Sequence, residues 1–85
     1  MPEITIYTTP YCSYCISAKA LLNRKGARFT EIDVSRDPAL RSAMTARANG
    51  GYTVPQFFIG ATHVGGSDEL HELDRRGGLD PLLTS

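Results

Sequence analysis

The 85-residue sequence predicts a single α/β domain: a four-stranded mixed sheet flanked by three main helices, in the order β-α-β-α-β-β-α. Three observations predict it. Hydrophobic spacing switches between period 2 and period 3.6 along the chain, and glycine, proline or aspartate stands at the switches. A strand pattern also follows the first helical pattern so closely that the two strands must run parallel. Finally, no repeat, low-complexity stretch or linker divides the chain, so residues 1–85 read as one domain.

The first strand is Glu3 to Thr8, where Ile4 and Ile6 alternate with Glu3, Thr5 and Tyr7 in the manner of a half-buried strand. Thr9-Pro10-Tyr11 breaks it. From Cys12 onward Cys15, Ala18, Leu21 and Leu22 fall at helical spacing, and Arg24, Lys25 and Gly26 form a helix stop. Phe29 to Val34 is the second strand. Asp37-Pro38 then gives an N-cap with proline at the first helical position, Leu40, Ala43 and Met44 supply an apolar stripe, and Asn49-Gly50-Gly51 ends the second helix. Val54 to Ile59 and Thr62 to Val64, joined at Gly60-Ala61, read as a hairpin at the sheet edge. Ser67 is the expected cap of a third helix with Asp68 and Glu69 in its first turn and Arg75 and Arg76 at its end. Asp80-Pro81 opens one last helical turn through Leu82 and Leu83.

Composition narrows the function. With 41% hydrophobic and 21% charged residues the chain is a foldable globular sequence. Nine basic and nine acidic residues balance to zero, so no general field draws nucleic acid or anionic lipid, and neither is an expected partner. The uncharged run from Ala48 to Ser67 holds five glycines, Pro55 and His63 and is not a membrane span. Met1 leads almost directly into a strand pattern with no apolar signal core, so a cytoplasmic location is expected. There, cysteines are normally kept reduced.

The two cysteines, Cys12 and Cys15, therefore point to chemistry. A thiol at a helix start faces unpaired backbone N–H groups and the positive end of the helix dipole, both of which favour the thiolate. Cys12 has that place and is the expected nucleophile. Cys15, one turn on, is within reach to resolve a mixed disulfide on Cys12. Three other readings compete. Structural zinc would need His63 or His71, which lie on different elements far along the chain. A structural disulfide would close a very short loop in a reducing compartment. Two ordinary buried thiols are the third. For Ser67 and Asp68 a plain helix cap is an equally simple reading, and for His63 and His71 exposed surface residues.

Cys12-Ser13-Tyr14-Cys15 opening a helix after a strand, then Thr53-Val54-Pro55, then Gly65-Gly66-Ser67-Asp68 opening a third helix, together resemble the glutaredoxins of the thioredoxin superfamily. The run from Arg75 to Leu83 is similar to the end of the short bacterial dithiol members. The resemblance implies a thioredoxin-like fold and a glutathione-dependent oxidoreductase, with redox-active Cys12 and Cys15. Its substrates would be protein–glutathione mixed disulfides and low-molecular-weight disulfides. It also implies a glutathione site: Tyr14 lining a groove, Val54 pairing its backbone with glutathione between Thr53 and a cis Pro55, and Gly66, Ser67 and Asp68 holding the γ-glutamyl end. Partners would be glutathione and glutathionylated or disulfide-containing proteins, and the chain a monomer.

The sequence departs from the family pattern at three positions. Thr9 stands where many members carry lysine and Gly51 where a basic residue is frequent, so weaker glutathione binding is expected. Ser13 stands where proline is commoner. Members with Cys-Ser-Tyr-Cys include ones that hold a [2Fe–2S] cluster between two protomers, each giving its first cysteine, with two glutathiones giving the other thiolates. The resemblance thus implies an alternative, a cluster-bound dimer acting as carrier or sensor, with Cys12 as ligand.

Overall fold

The computed structural model describes residues 3–84. Eight elements follow one another: β1 (Ile4–Thr8), α1 (Ser13–Arg24), β2 (Thr30–Asp33), α2 (Pro38–Arg47), β3 (Gln56–Ile59), β4 (Thr62–Gly65), α3 (Ser67–Arg75) and α4 (Leu79–Thr84). The strands form one sheet in the order β2-β1-β3-β4. β1 pairs parallel with β2 and antiparallel with β3, and β3 pairs antiparallel with β4. This is the thioredoxin-like arrangement the sequence implies, with the hairpin at the edge. No helix among the described residues is long and apolar enough to cross a membrane.

The two faces of the sheet carry different loads. On one, Ile4 and Ile6 of β1 and Phe57 and Ile59 of β3 meet Ala18, Leu21 and Leu22 of α1, Leu70 of α3, and Leu79 and Leu83 of α4. On the other, Tyr7, Val34 and Phe58 meet Met44 and Ala48. Because helices cover both faces, all five residues of β1 are buried, where alternation predicts a half-buried strand. The apolar stripe of α2 also differs from expectation: Leu40 and Ala43 face outward and Met44 alone of the three is buried.

Helix ends follow local chemistry. Asp37 accepts from the amides of Ala39 and Leu40 and starts α2 at Pro38. At α3 the cap is Gly66, not Ser67: the Glu69 carboxylate accepts from the Gly66 amide at 2.8 Å, and Ser67 is already the first helical residue. Gly65 has φ +122°, and a Cβ there would lie 2.9 Å from the Glu69 side chain, so only glycine fits the entry to α3. Lys25, at the end of α1, bridges Asp74 of α3 and Asp80 of α4 at 2.6 and 2.9 Å.

Candidate functional site

Cys12 is the N-cap of α1, with extended backbone at φ −98° and ψ 111°. Tyr11 before it takes a left-handed φ of 62° and projects fully into solvent, so it does not cover the helix start. The Cys12 sulfur accepts from the Cys15 amide at 3.2 Å, and the thiol donates to the Val54 carbonyl at 3.9 Å. The amide is the partner that serves the thiolate, because an N–H donates to an anion and a carbonyl cannot. Cys12 is partly exposed and Cys15 is 1% exposed, and both are free thiols.

Burial pushes the Cys15 thiol up to about 12, and its hydrogen bond to Cys12 acts in the same direction. The Thr9 amide and the Lys19 charge pull the other way without reversing it. Cys15 is therefore a neutral thiol at neutral pH. Lys19 itself is held by Glu31 at 2.9 Å, and the same carboxylate oxygen accepts from the buried Thr8 hydroxyl at 2.6 Å.

Beside Cys12 runs a groove of about 390 Å³. One wall is Thr53, Val54 and Pro55, with the Val54–Pro55 bond cis as the resemblance implies. The facing wall is the start of α3, from Gly66 to Glu69, and Tyr14 of α1 joins them. A Cβ on Gly66 would stand 3.4 Å from the Pro55 carbonyl, so the two walls approach to van der Waals contact there. The structure thus brings together Tyr14, Thr53, Val54, Pro55, Gly66, Ser67 and Asp68 around the Cys12 end of α1. A larger hollow of about 600 Å³ lies against the other flank of α3, lined by His63, Leu73 and Arg76 among others.

Several residues of this region carry weak or no sequence signals. Glu69 lines the groove and caps Gly66, a role its position three residues past the cap could have revealed. Arg41 of α2 donates to the Tyr52 carbonyl at 2.8 Å, next to Thr53. The two histidines are partly buried and bonded, where exposed positions were expected: His71 joins Ser67 of α3 to Ser17 of α1, and His63 meets Gln56. Lys19 and Arg47 are engaged away from the groove, Lys19 with Glu31 and Arg47 with the Tyr7 hydroxyl and the Gly60 carbonyl. Among the described residues no group of three or more His, Cys, Asp or Glu is placed to hold a metal ion.

The glutaredoxin family model matches residues 4–64, which span the cysteine pair, the cis proline and the sheet. The chain belongs to the glutaredoxin family. It is 55% identical over 85 residues to a glutaredoxin of Pseudomonas aeruginosa, covering 100% of both chains. Its fold matches the crystal structure of a buckwheat glutaredoxin–glutathione complex with a TM-score of 0.88 at 35% identity, over 98% of this chain and 77% of that one. It also matches a solved chain described as "Metal Binding of Glutaredoxins", with a TM-score of 0.76 at 55% identity, over 100% of this chain and 91% of that one. As a glutaredoxin the chain is a thiol–disulfide oxidoreductase, and its two cysteines, Cys12 and Cys15, lie close together, the Cys15 amide 3.2 Å from the Cys12 sulfur.

Proposed function

We propose that this glutaredoxin is a glutathione-dependent oxidoreductase that reduces protein–glutathione mixed disulfides and low-molecular-weight disulfides, with Cys12 as nucleophile. The observation that carries the reading is the groove. The backbone at Val54 and a helix start with a carboxylate at Asp68 face each other beside the partly exposed Cys12 thiol. Glutathione is an extended tripeptide with an ammonium and a carboxylate at its γ-glutamyl end. Val54 offers the backbone partner, the free amides at the start of α3 suit the carboxylate, and Asp68 suits the ammonium. Arg41, bonded to the same loop, is assigned to the glycyl carboxylate, a role that Thr9 and Gly51 cannot fill.

The Cys12 thiolate attacks the glutathione sulfur of the mixed disulfide. The bond between the two substrate sulfurs breaks, and the protein thiolate leaves and takes up a proton from water. A second glutathione thiolate then attacks the glutathione sulfur on Cys12, which yields glutathione disulfide and restores the Cys12 thiolate. For a protein disulfide, Cys15 loses its proton, attacks the Cys12 sulfur and releases the substrate, leaving a Cys12–Cys15 disulfide for glutathione to reduce. Cys15 is buried, so its thiol must lose a proton away from water before it can attack Cys12, which favours the second glutathione as the resolving thiol. We place this cycle in the cytoplasm, in a monomer.

The test is glutathione-coupled turnover of a small-thiol–glutathione mixed disulfide by the wild type, Cys12→Ser and Cys15→Ser. Activity lost in Cys12→Ser and kept in Cys15→Ser supports the reading. Wild-type turnover no faster than the uncatalysed exchange contradicts it.

A second reading is a [2Fe–2S]-bound dimer acting as carrier or sensor. Accessible Cys12 beside buried Cys15 favours it, because each protomer then has one thiolate to give, and two protomers with two glutathiones complete four. Cys12 would hold the cluster, which supplies a one-electron site and a cargo of iron and sulfide. Anaerobic reconstitution that yields neither a chromophore nor a dimer removes this reading.

A further inference from the structure

Behind the Thr53–Pro55 wall runs a line of hydrogen bonds that the chemistry above does not use. Gln56, the first residue of β3, is buried at 5% exposure. Its amide nitrogen donates to the Thr53 carbonyl at 2.9 Å and approaches the Thr53 hydroxyl at 3.3 Å. A carbonyl only accepts, so this contact fixes the amide with nitrogen toward Thr53 and oxygen away from it. That oxygen meets His63 Nε2 at 2.6 Å. Nε2 must then carry a proton and donate.

The imidazole is itself held in place. It stacks on Phe58, its partner across the β3–β4 ladder, at 4.9 Å and 28° between ring planes. The Phe58 ring in turn packs edge-on against Tyr7 at 5.7 Å and lies under the Arg47 guanidinium at 4.2 Å. A fixed ring at the sheet edge is thus tied through one buried amide to the loop that forms the groove wall. Thr53 and Val54 lie before β3 and outside its ladder, so their backbone geometry depends on such side-chain ties.

We propose that Gln56 and His63 are positioning residues for glutathione: the His63–Gln56–Thr53 line holds the backbone edge at Thr53 and Val54 in the shape that pairs with the tripeptide. The inference builds on the glutathione reading above. Ordering backbone costs conformational entropy, and a loop ordered before binding spares the ligand that cost. Loss of the line therefore weakens recognition of the glutathione moiety and leaves the chemistry at Cys12 untouched.

The test compares the full-length wild type with His63→Leu, His63→Gln and Gln56→Leu. Three quantities are read: KM for the glutathione mixed disulfide, kcat, and the rate of Cys12 alkylation by iodoacetamide in the absence of glutathione. Leucine at either position is expected to raise KM about 3- to 10-fold, the equivalent of one lost hydrogen bond, with kcat and alkylation within about twofold of wild type. His63→Gln, whose amide can donate to Gln56, is expected to restore most of the affinity. An unchanged KM in His63→Leu overturns the proposal, as does a His63→Gln no better than His63→Leu, or alkylation that slows in step with KM. Should Gln56→Leu fail to fold, the two His63 variants decide alone. A wild type without glutathione-coupled turnover would remove the glutathione reading itself, whereas an active wild type with unmoved variants removes only the positioning role.

Discussion

Cys12 and Cys15 share one helical turn and little else. Cys12 sits at the open end of α1, partly exposed, with a backbone amide aimed at its sulfur and a groove alongside. Cys15, within α1, is 1% exposed, and burial pushes its thiol up to about 12. The lesson is that spacing supplies a pair of thiols, whereas depth divides the work between them. In the cycle proposed above, the accessible one exchanges and the buried one waits.

The sharpest way to break this comparison is to remove one member at a time. Cys12→Ser should lower glutathione-coupled turnover to about a thousandth of wild type or less, because the nucleophile itself is gone. The coupled assay checks it. If Cys15→Ser caused the same loss, the two thiols would be equals and the division of labour would fail.

The groove can be probed next. Asp68→Ala deletes the carboxylate assigned to the γ-glutamyl ammonium, a charge-assisted contact at an exposed position, and should raise KM for the mixed disulfide about tenfold at little change in kcat. Arg41→Ala, at the looser glycyl end, should raise it only about two- to fivefold, and less at high salt. Steady-state kinetics at two ionic strengths separate them.

The depth of Cys15 is itself measurable. Its folded-state value of about 12 lies above the ordinary 9.0, so the unfolded chain loses this proton first as pH rises. The contribution is whole below pH 9 and is lost progressively between about pH 9 and 12, on the order of a few kcal/mol in all. Denaturant titrations should show this slope in the wild type and a flatter one in Cys15→Ala. The Glu31 carboxyl is the smaller, opposite case. The Thr8 hydroxyl and then the Lys19 ammonium hold it below its usual 4.5, so its contribution is present above that pH and fades as pH falls below it. Glu31→Gln should remove that acid-limb dependence and leave the alkaline limb as it is.

Much of this arrangement was legible in the sequence, and the gaps have physical causes. The order of elements follows from periodicity and punctuation, and the groove residues from three short motifs that the fold brings together from α1, the β3 approach and α3. Alternation predicts a half-buried β1 because it reports one face at a time, and the second face is covered as well, Tyr7 by Met44 and Ala48 from the α2 side. Leu40 is apolar at helical spacing yet faces outward, since Met44 and Ala48 suffice to cover the narrow second face. Ser67 looks like a cap, but Gly66 is the cap, its amide held by the Glu69 carboxylate, and the Ser67 hydroxyl turns to His71. The ties from His63 and Gln56 to Thr53 had no local signature, because they depend on strand register across the hairpin.

The central claim is that the groove holds the glutathione moiety while it is bonded to Cys12. The direct measurement is an amide NMR map of Cys15→Ser before and after glutathione is attached to Cys12 as a stable mixed disulfide. The account predicts large shifts at Tyr14, Val54, Ser67 and Asp68, with contacts from glutathione protons to the Val54 amide. Shifts confined to Cys12 and its neighbours on α1, or centred on the hollow lined by Leu73 and Arg76, would contradict it.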